Sequence, residues 1–146
     1  MLGDPTNYNI NSVDGLECIY CGDAAWDRDH VIAHSLTNKS ERTYTAKEVV
    51  PACKDCNSAL SNKTLFTVAE RAKWLAQRLK RKHAKLLKSE WVEEDFEGIG
   101  NTLRSYIAAN QNKRTIVISR IDRCERVSRM TNLTPTDYWD AANASV

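Results

Sequence analysis

Cysteines occur in two matched Cys-x-x-Cys pairs, Cys18 with Cys21 and Cys53 with Cys56. Four thiolates that converge from two such turns are the usual ligand set of a structural zinc ion. The 31 residues between the pairs leave room for a strand, a loop and a second strand. One pair alone would leave redox chemistry open, whereas two pairs favour zinc. A site with four protein ligands is closed, so we expect this zinc to hold the fold and not to catalyse.

Three further polar residues, Asp29, His30 and Asn57, lie beside the cysteine pairs in the sequence. Oxygen ligands such as those of Asp29 and Asn57 suit Mg²⁺ or Mn²⁺ better than a second zinc. Neighbouring residues of a strand point to opposite faces, so His30 can address a water molecule while Asp29 ligates a metal. In-line hydrolysis of a phosphodiester needs this division between base and metal. Each residue alone is better explained as an ordinary polar residue, and their combination with two cysteine pairs favours a site.

Short elements must position these residues. Gly22 follows the first cysteine pair and is free to take the positive φ that a tight turn requires. Asn57 directly follows Cys56, so zinc would fix its position. The expected elements are a strand over 30–33, a polar loop over 35–47, a second strand at 49–50 and a short helix over about 54–60.

The second half of the chain favours helices. Thr67 and Glu70 have the spacing of a capping box, and apolar residues recur every three to four positions as far as Leu86. Ser89 is a candidate cap for a second helix over roughly 91–109. The segment 115–121 is rich in β-branched residues and fits either a strand or a third helix. Pro135 predicts the first position of a helix that runs to about Asn143.

Length and composition bound the class of protein. The chain has 146 residues and a formal net charge of +2, which suits one small domain with appended helices. The segment 1–14 has no secretion signal and no apolar run approaches the ~18 residues of a membrane span, so we expect a cytoplasmic protein with no membrane partner. Five cysteines are an odd number, which argues against a disulfide framework, and we assign no role to Cys124.

The segments Asp29–Ile32 and Val49–Asn57, together with the cysteine pairs, resemble the HNH endonuclease family. The resemblance is to its four-cysteine form, and the tail from Thr67 to Ala72 with its following basic helix is similar to small free-standing HNH proteins of bacteriophages. It is specific over about 18–57 and weak after Lys88. It implies an α+β fold: a zinc-stabilised ββα-metal, treble-clef-like core followed by C-terminal helices. The expected organisation is an irregular segment over 1–15, the nuclease core over 16–66 and a helical extension over 67–146.

The resemblance also implies roles for the site residues. His30 would be the general base that activates water, and Asp29 and Asn57 would ligate one catalytic Mg²⁺ or Mn²⁺. The four paired cysteines would hold one structural Zn²⁺. The substrate would be DNA, cut by phosphodiester hydrolysis. A nick or a double-strand cut, and a monomer or a homodimer, are all compatible with it.

The sequence departs from the family pattern at two positions. The family usually has asparagine five residues before the third cysteine, where it orients the base, and this chain has Glu48. The family often has lysine three residues after the last motif residue, and this chain has Leu60 there with Lys63 further on. His34 is a further auxiliary candidate, for which a loop or phosphate contact is favoured over metal ligation.

A basic segment is a candidate surface for DNA. From Arg71 to Lys88 there are eight Lys or Arg and no acid, whereas 90–97 has five acids and no base. Such cations neutralise phosphates and position DNA without reading its sequence, although a solvated helix face is an equally good explanation for any one of them. The residues selected as DNA contacts are Arg71, Lys73, Arg78, Arg81, Lys82 and Lys85. The four tryptophans are expected to pack rather than to stack on bases: Trp26, Trp74, Trp91 and Trp139.

Two other functions compete with the metal-dependent endonuclease. The first is a zinc-stabilised nucleic-acid-binding module without catalysis, which Glu48 makes plausible. The second is a zinc-dependent protein-interaction module that docks through its C-terminal helices. A pure binding module has no use for oxygen ligands beside an imidazole, so the three residues Asp29, His30 and Asn57 favour the enzyme.

Overall fold

The computed structural model describes residues 7–31, 44–61, 63–89, 98 and 100–144. His34, Trp91 and most of the expected 35–47 loop lie outside these ranges. Within these ranges the elements in chain order are two strands and five helices: β1 Asp27–His30, β2 Val49–Ala52, α1 Lys54–Leu60, α2 Val68–Lys82, α3 Ala84–Lys88, α4 Asn101–Ser128 and α5 Pro135–Ala144. The chain therefore has the expected α+β character.

The two strands form an antiparallel pair in which Asp29 lies opposite Val50 and His30 opposite Val49. Every residue of β2 is buried, in keeping with its two valines. Backbone hydrogen bonds extend the pairing at both ends, from Trp26 N to Ala52 O and from Val31 N to Glu48 O. β1 begins three residues earlier than predicted, because its pairing with β2 starts at Asp27.

Helix α1 begins at the second cysteine pair. Cys53 is its N-cap, and the Cys53 sulfur accepts a hydrogen bond from the backbone amide of Cys56 at 3.4 Å. The thiol takes the place of the usual hydroxyl or carboxylate cap. The prediction of a short helix with Cys56 and Asn57 in its first turn is confirmed.

Helix α2 begins at the predicted cap but ends earlier than its apolar pattern suggests. Thr67 Oγ1 accepts from the amide of Glu70 at 3.1 Å, and the Glu70 carboxylate reaches back to the amide of Phe66 at 3.3 Å. At His83 the backbone leaves the helical region, with φ −110 and ψ 23, and the short helix α3 follows.

Helix α4 resolves the open question over 115–121 in favour of a helix. It spans 28 residues and absorbs the described part of the predicted second helix. Its buried residues Val117, Ile121, Cys124 and Val127 recur every three to four positions and face α2. β-branched side chains are accepted here because tertiary packing outweighs their weak strand preference.

One hydrophobic core joins the cysteine-bearing part to the helices. It includes the four paired cysteines, Leu75 and Leu79 of α2 and Val117 and Ile121 of α4. A second cluster centres on Trp139 of α5, whose Nε1 donates to Val49 O at 2.8 Å. α5 starts at Pro135 as predicted. None of the helices in the described ranges is both long and apolar enough to cross a membrane.

Candidate metal centre and active site

The four paired thiols lie together in the core. Their sulfur atoms are all within 4.8 Å of one another, and all four residues are buried. Cys21 Sγ lies 3.5 Å from Cys53 Sγ, so the two pairs meet across the chain. Zinc–sulfur bonds of about 2.3 Å in a tetrahedron place sulfur atoms about 3.8 Å apart. The cluster therefore could hold one metal ion such as zinc.

Close packing of the four thiols shifts the pKa of each one. Hydrogen bonds from neighbouring thiols, Cys18 first, lower the pKa of Cys21, and similar contacts lower the pKa of Cys53 to about 7. The same contacts raise the pKa of Cys18 and of Cys56, because those thiols keep their protons as donors. Since thiolates are the metal-binding form, a cation that binds all four sulfur atoms would displace the protons that Cys18 and Cys56 keep.

Arg120 of α4 brings a positive charge to the thiol cluster. Its Nη2 lies 4.0 Å from Cys56 Sγ and 2.9 Å from Asp55 Oδ2. Its Nε lies 3.2 Å from Asp23 Oδ2, without the alignment of a hydrogen bond. Burial lowers the pKa of Arg120, but hydrogen bonds to Asp55 and Cys21 outweigh burial, so the pKa is raised. A zinc ion with four thiolates carries a net negative charge, which this guanidinium would stabilise.

Asp55, between the two cysteines of the second pair, connects three helices. Its two oxygens accept from both terminal nitrogens of Arg78, each at 3.1 Å, and Lys82 Nζ lies 3.6 Å away. With Arg120, three cations from α2 and α4 meet this α1 carboxylate. Burial raises the pKa of Asp55, yet the hydrogen bonds from Arg78 and Arg120 outweigh burial and hold the pKa below its usual range.

Asp29, the predicted metal ligand, is buried in an ion pair. It is 2% exposed, and its Oδ1 accepts from Arg71 Nη2 at 2.7 Å. Its Oδ2 accepts from Arg71 Nε at 3.0 Å and from the Tyr20 hydroxyl at 2.7 Å. Because both oxygens are engaged beside a guanidinium, the carboxylate in this arrangement does not fit a Mg²⁺ ion.

Arg71, predicted as a DNA contact, is only 2% exposed. Its third nitrogen, Nη1, donates to Leu65 O at 2.8 Å. Burial lowers the pKa of Arg71, and Tyr20 and Asp29 outweigh burial, so the pKa is raised and the charge is kept. The prediction that Arg71 contacts DNA is therefore wrong for this structure, because the guanidinium faces Asp29 and not solvent.

Tyr20 joins this ion pair to the metal centre, since it lies between Cys18 and Cys21. Burial, followed by the negative charge of Asp29, raises the pKa of Tyr20 well above its usual range. The hydroxyl therefore keeps its proton, donates to Asp29 and accepts from Arg71 Nε at 3.2 Å. One chain of contacts thus links the first cysteine pair to β1 and to α2.

His30 lies on the face of β1 opposite to Asp29, as the alternation of a strand predicts. Its ring centroid is 4.8 Å from that of Tyr44, at an interplanar angle of 56°. Arg28, two residues earlier on the same face, places its Cζ 3.8 Å from the same Tyr44 ring, and its Nη1 donates to Ile10 O at 2.9 Å. The Tyr44 ring therefore contacts both the imidazole of His30 and the guanidinium of Arg28.

Asn57 and the auxiliary residues take ordinary positions. Asn57 is half-buried in the first turn of α1, which packs against β1. The backbone carbonyl of Glu48 accepts a hydrogen bond from the amide of Val31. Glu48 therefore lies at the end of the strand pair, next to the residue that follows His30. Lys63 places its Nζ 4.9 Å from the ring centroid of Trp74.

The other predicted DNA contacts divide into two sets. Arg78 and Lys82 pair with Asp55, although Lys82 is also exposed. Lys73, Arg81 and Lys85 are exposed. The expectation that tryptophans pack is confirmed for Trp139 and is wrong for Trp26. Trp26 is 65% exposed, with Lys54 Nζ 5.2 Å from its ring centroid.

Sequence reasoning missed four residues of this region: Tyr20, Arg28, Asp55 and Arg120. Asp55 carried a usable signal, because an acid inside a Cys-x-x-Cys pair must lie beside the metal centre. Tyr20 offered the same signal in the first pair. Arg28 and Arg120 offered none that distinguishes them from other surface cations.

Comparison with protein-family models, with curated proteins and with solved structures finds no match to this chain. The resemblance to the HNH family consequently rests on sequence motifs alone: the cysteine pairs, the segments Asp29–Ile32 and Val49–Asn57, and the tail from Thr67 to Ala72.

Proposed function

We propose that this protein is a DNA endonuclease of the HNH type that hydrolyses phosphodiester bonds. One observation carries the proposal: a β-hairpin with His30 leads directly into a helix that begins inside a four-thiol metal centre. The order β1, β2, α1 is that expected of a ββα-metal core. The helix carries Asn57 one residue after a metal-binding cysteine, so a bound zinc ion would hold Asn57 in place relative to the hairpin.

His30 has the surroundings that a general base requires. It is half-buried, and its ring lies against Tyr44, which restricts the orientation of the imidazole. A neutral imidazole can accept a proton from an attacking water. Arg28 lies on the same face, where its Nε pairs with Asp27 Oδ1 at 3.3 Å and its Nη1 donates to Ile10 O. A phosphate oxygen could be bound by its remaining terminal nitrogen.

The divalent cation that the resemblance assigns to Asp29 and Asn57 does not fit the ion-paired Asp29. We therefore derive no catalytic step through that ion. The roles proposed for His30 and Arg28 do not depend on that ion at Asp29, because both residues lie on the opposite face of β1.

The buried ion pair also favours a second function, the zinc-stabilised nucleic-acid-binding module without catalysis. In that protein Asp29 and Arg71 would only stabilise the fold, and the exposed cations of α2 and α3 would bind phosphates. The two functions differ in whether the substrate is cut.

Supercoiled plasmid distinguishes them. Purified protein with its zinc content measured is incubated with plasmid in Mg²⁺ or Mn²⁺, with and without chelator, and the nicked and linear products are quantified. We expect cleavage by the wild type and a loss of at least 100-fold in His30→Ala. His83→Ala, at the junction of α2 and α3, is the matched control and should cleave like the wild type.

Plasmid retardation without cleavage in either metal would overturn the endonuclease and favour the binding module. Equal cleavage by His30→Ala and the wild type would remove His30 as the base. A binding module that uses phosphates should in addition lose affinity steeply with added salt, which separates it from a protein-interaction module.

A further inference from the structure

The ion pair between Arg71 and Asp29 occupies the carboxylate that an HNH nuclease would use for its cation. We propose that Arg71 competes with a divalent cation for Asp29, so that the structure is a latched state with low affinity for that cation. This inference rests on the proposed function, because it concerns the metal site of the same nuclease.

The geometry of the pair argues that it excludes a cation. Arg71 presents Nη2 and Nε to the two oxygens of Asp29 at 2.7 and 3.0 Å, the side-by-side arrangement typical of strong guanidinium–carboxylate pairs. The Tyr20 hydroxyl donates to Oδ2 as well. Three of the roughly four lone-pair positions of the carboxylate are therefore taken.

Electrostatics argue in the same direction. A cation bound at the remaining position would lie close to the guanidinium charge, with little water to screen the repulsion because Asp29 is 2% exposed. Mg²⁺ also keeps several of its waters and needs room for them. Binding of a hydrated cation therefore requires that Arg71 first leaves the carboxylate.

Arg71 is held from three sides, so the latch is a built feature rather than a chance contact of a surface side chain. Its Nη1 donates to Leu65 O at 2.8 Å, and its Nε is shared between Asp29 and Tyr20. Leu65 lies just before the cap of α2. The start of α2 and the segment before it consequently hold the guanidinium on Asp29, and both are positioned by the first cysteine pair through Tyr20.

A latched site lowers the apparent affinity for the cation by the fraction of molecules in which the carboxylate is free. Removing the guanidinium should therefore increase affinity. If Asp29 and Arg71 formed only a structural pair with no metal function, removing Arg71 would reduce stability and leave the affinity for the cation unchanged. The two possibilities therefore differ in whether the affinity for the cation increases when the Arg71 guanidinium is removed.

The experiment measures Mn²⁺ binding to the zinc-loaded protein by electron paramagnetic resonance of the free ion. The variants are Arg71→Met and the double variant Asp29→Asn with Arg71→Met. We expect Arg71→Met to bind Mn²⁺ at least tenfold more tightly than the wild type, and the double variant to lose that gain. Arg78→Met is the matched control, because Arg78 makes a similar pair from the same helix with Asp55, and it should bind Mn²⁺ like the wild type.

Equal affinity of Arg71→Met and the wild type would overturn the latch, and so would the absence of Mn²⁺ binding in both. Arg71→Lys, which keeps a charge but has no fork of donors, is the second variant and should show an intermediate gain. If neither Arg71 variant folds, with zinc content and circular dichroism as the criteria, Arg71 is an obligatory structural residue and the latch is overturned.

Plasmid cleavage is measured on the same samples and separates this inference from the proposed function. Tighter Mn²⁺ binding in Arg71→Met without cleavage by any variant would support the latch and overturn the endonuclease. Cleavage by the wild type, with the same Mn²⁺ affinity in Arg71→Met as in the wild type, would support the endonuclease and overturn the latch.

Discussion

Arg71 and Arg78 lie seven residues apart on α2, two helical turns, and therefore on the same side of the helix. Each pairs with a carboxylate next to one pair of cysteines, Arg71 with Asp29 and Arg78 with Asp55. Tyr20 connects Asp29 to the first pair, and Asp55 lies inside the second. Helix α2 is thus joined by two guanidinium–carboxylate contacts to both halves of the metal centre.

The Arg78 contact should contribute measurably to stability. Arg78→Met removes two hydrogen bonds to a charged, half-buried carboxylate and is expected to reduce the free energy of unfolding by about 2 kcal/mol. Urea unfolding followed by circular dichroism measures it. Lys80→Met, which removes an exposed ion pair with Glu125 from the same helix, should cost no more than about 0.5 kcal/mol. Equal losses in the two variants would contradict the importance of the Asp55 contact.

The metal centre should be required for folding. We expect one zinc per chain in the wild type and a misfolded, zinc-free protein from Cys53→Ser, because binding of structural zinc is coupled to folding. The fifth cysteine provides the control: Cys124 is buried on α4 outside the four-thiol cluster, and Cys124→Ala should keep its zinc. Metal analysis and thermal unfolding measure both. A soluble, zinc-free Cys53→Ser with the wild-type melting temperature would exclude this role for the cluster.

His83 should make stability depend on pH. Burial, followed by the charges of Lys82, Lys113 and Arg120 and opposed by Asp55, lowers the pKa of His83 in the folded protein. Its Nε2 is buried and has no hydrogen-bond partner among the residues that the structure describes. The unfolded chain, in which histidine titrates near 6.5, therefore binds the proton more tightly, so stability is lost as the pH falls through about 6.5 towards the folded value.

We expect the melting temperature of the wild type to fall more between pH 7.5 and pH 5.5 than that of His83→Gln. Loss of zinc at low pH would affect both proteins, and their difference isolates the histidine. Parallel curves for the two proteins would show that His83 titrates normally.

The sequence predicted those features that residues close together in the chain determine. Paired cysteines specify their own turns, the cap at Thr67 specifies the start of α2, and Pro135 specifies the start of α5. The partner of Asp29 was not predictable in this way, because Arg71 is 42 residues away and reaches Asp29 only once α2 has docked. Its place in a run of eight basic residues made a surface role the simpler interpretation.

Two features of the helices could also not be predicted from local sequence patterns. Apolar spacing continues past His83 to Leu86 with no proline or glycine, so nothing in the sequence marks the end of α2. The β-branched run from Thr115 to Ile118 left strand and helix equally possible, and the apolar face of α2 provides the packing that decides for a helix. The residue pattern within one segment contains no information about the apolar face of a helix formed elsewhere in the chain.

Binding to DNA should depend on those cations of α2 and α3 that the structure leaves exposed. Neutralising Lys73, Arg81 and Lys85 together is expected to lower the slope of log affinity against log salt by about 2 to 3, since each phosphate contact contributes about 0.9. Fluorescence anisotropy with a labelled duplex over a range of salt concentrations measures the slope. A triple variant with the same change in charge on α4 and its C-cap is the control and should keep the wild-type slope: Lys113, Arg126 and Arg129 changed to alanine. An equal decrease in both triple variants would show that the protein attracts DNA through its overall charge and not through the α2–α3 surface.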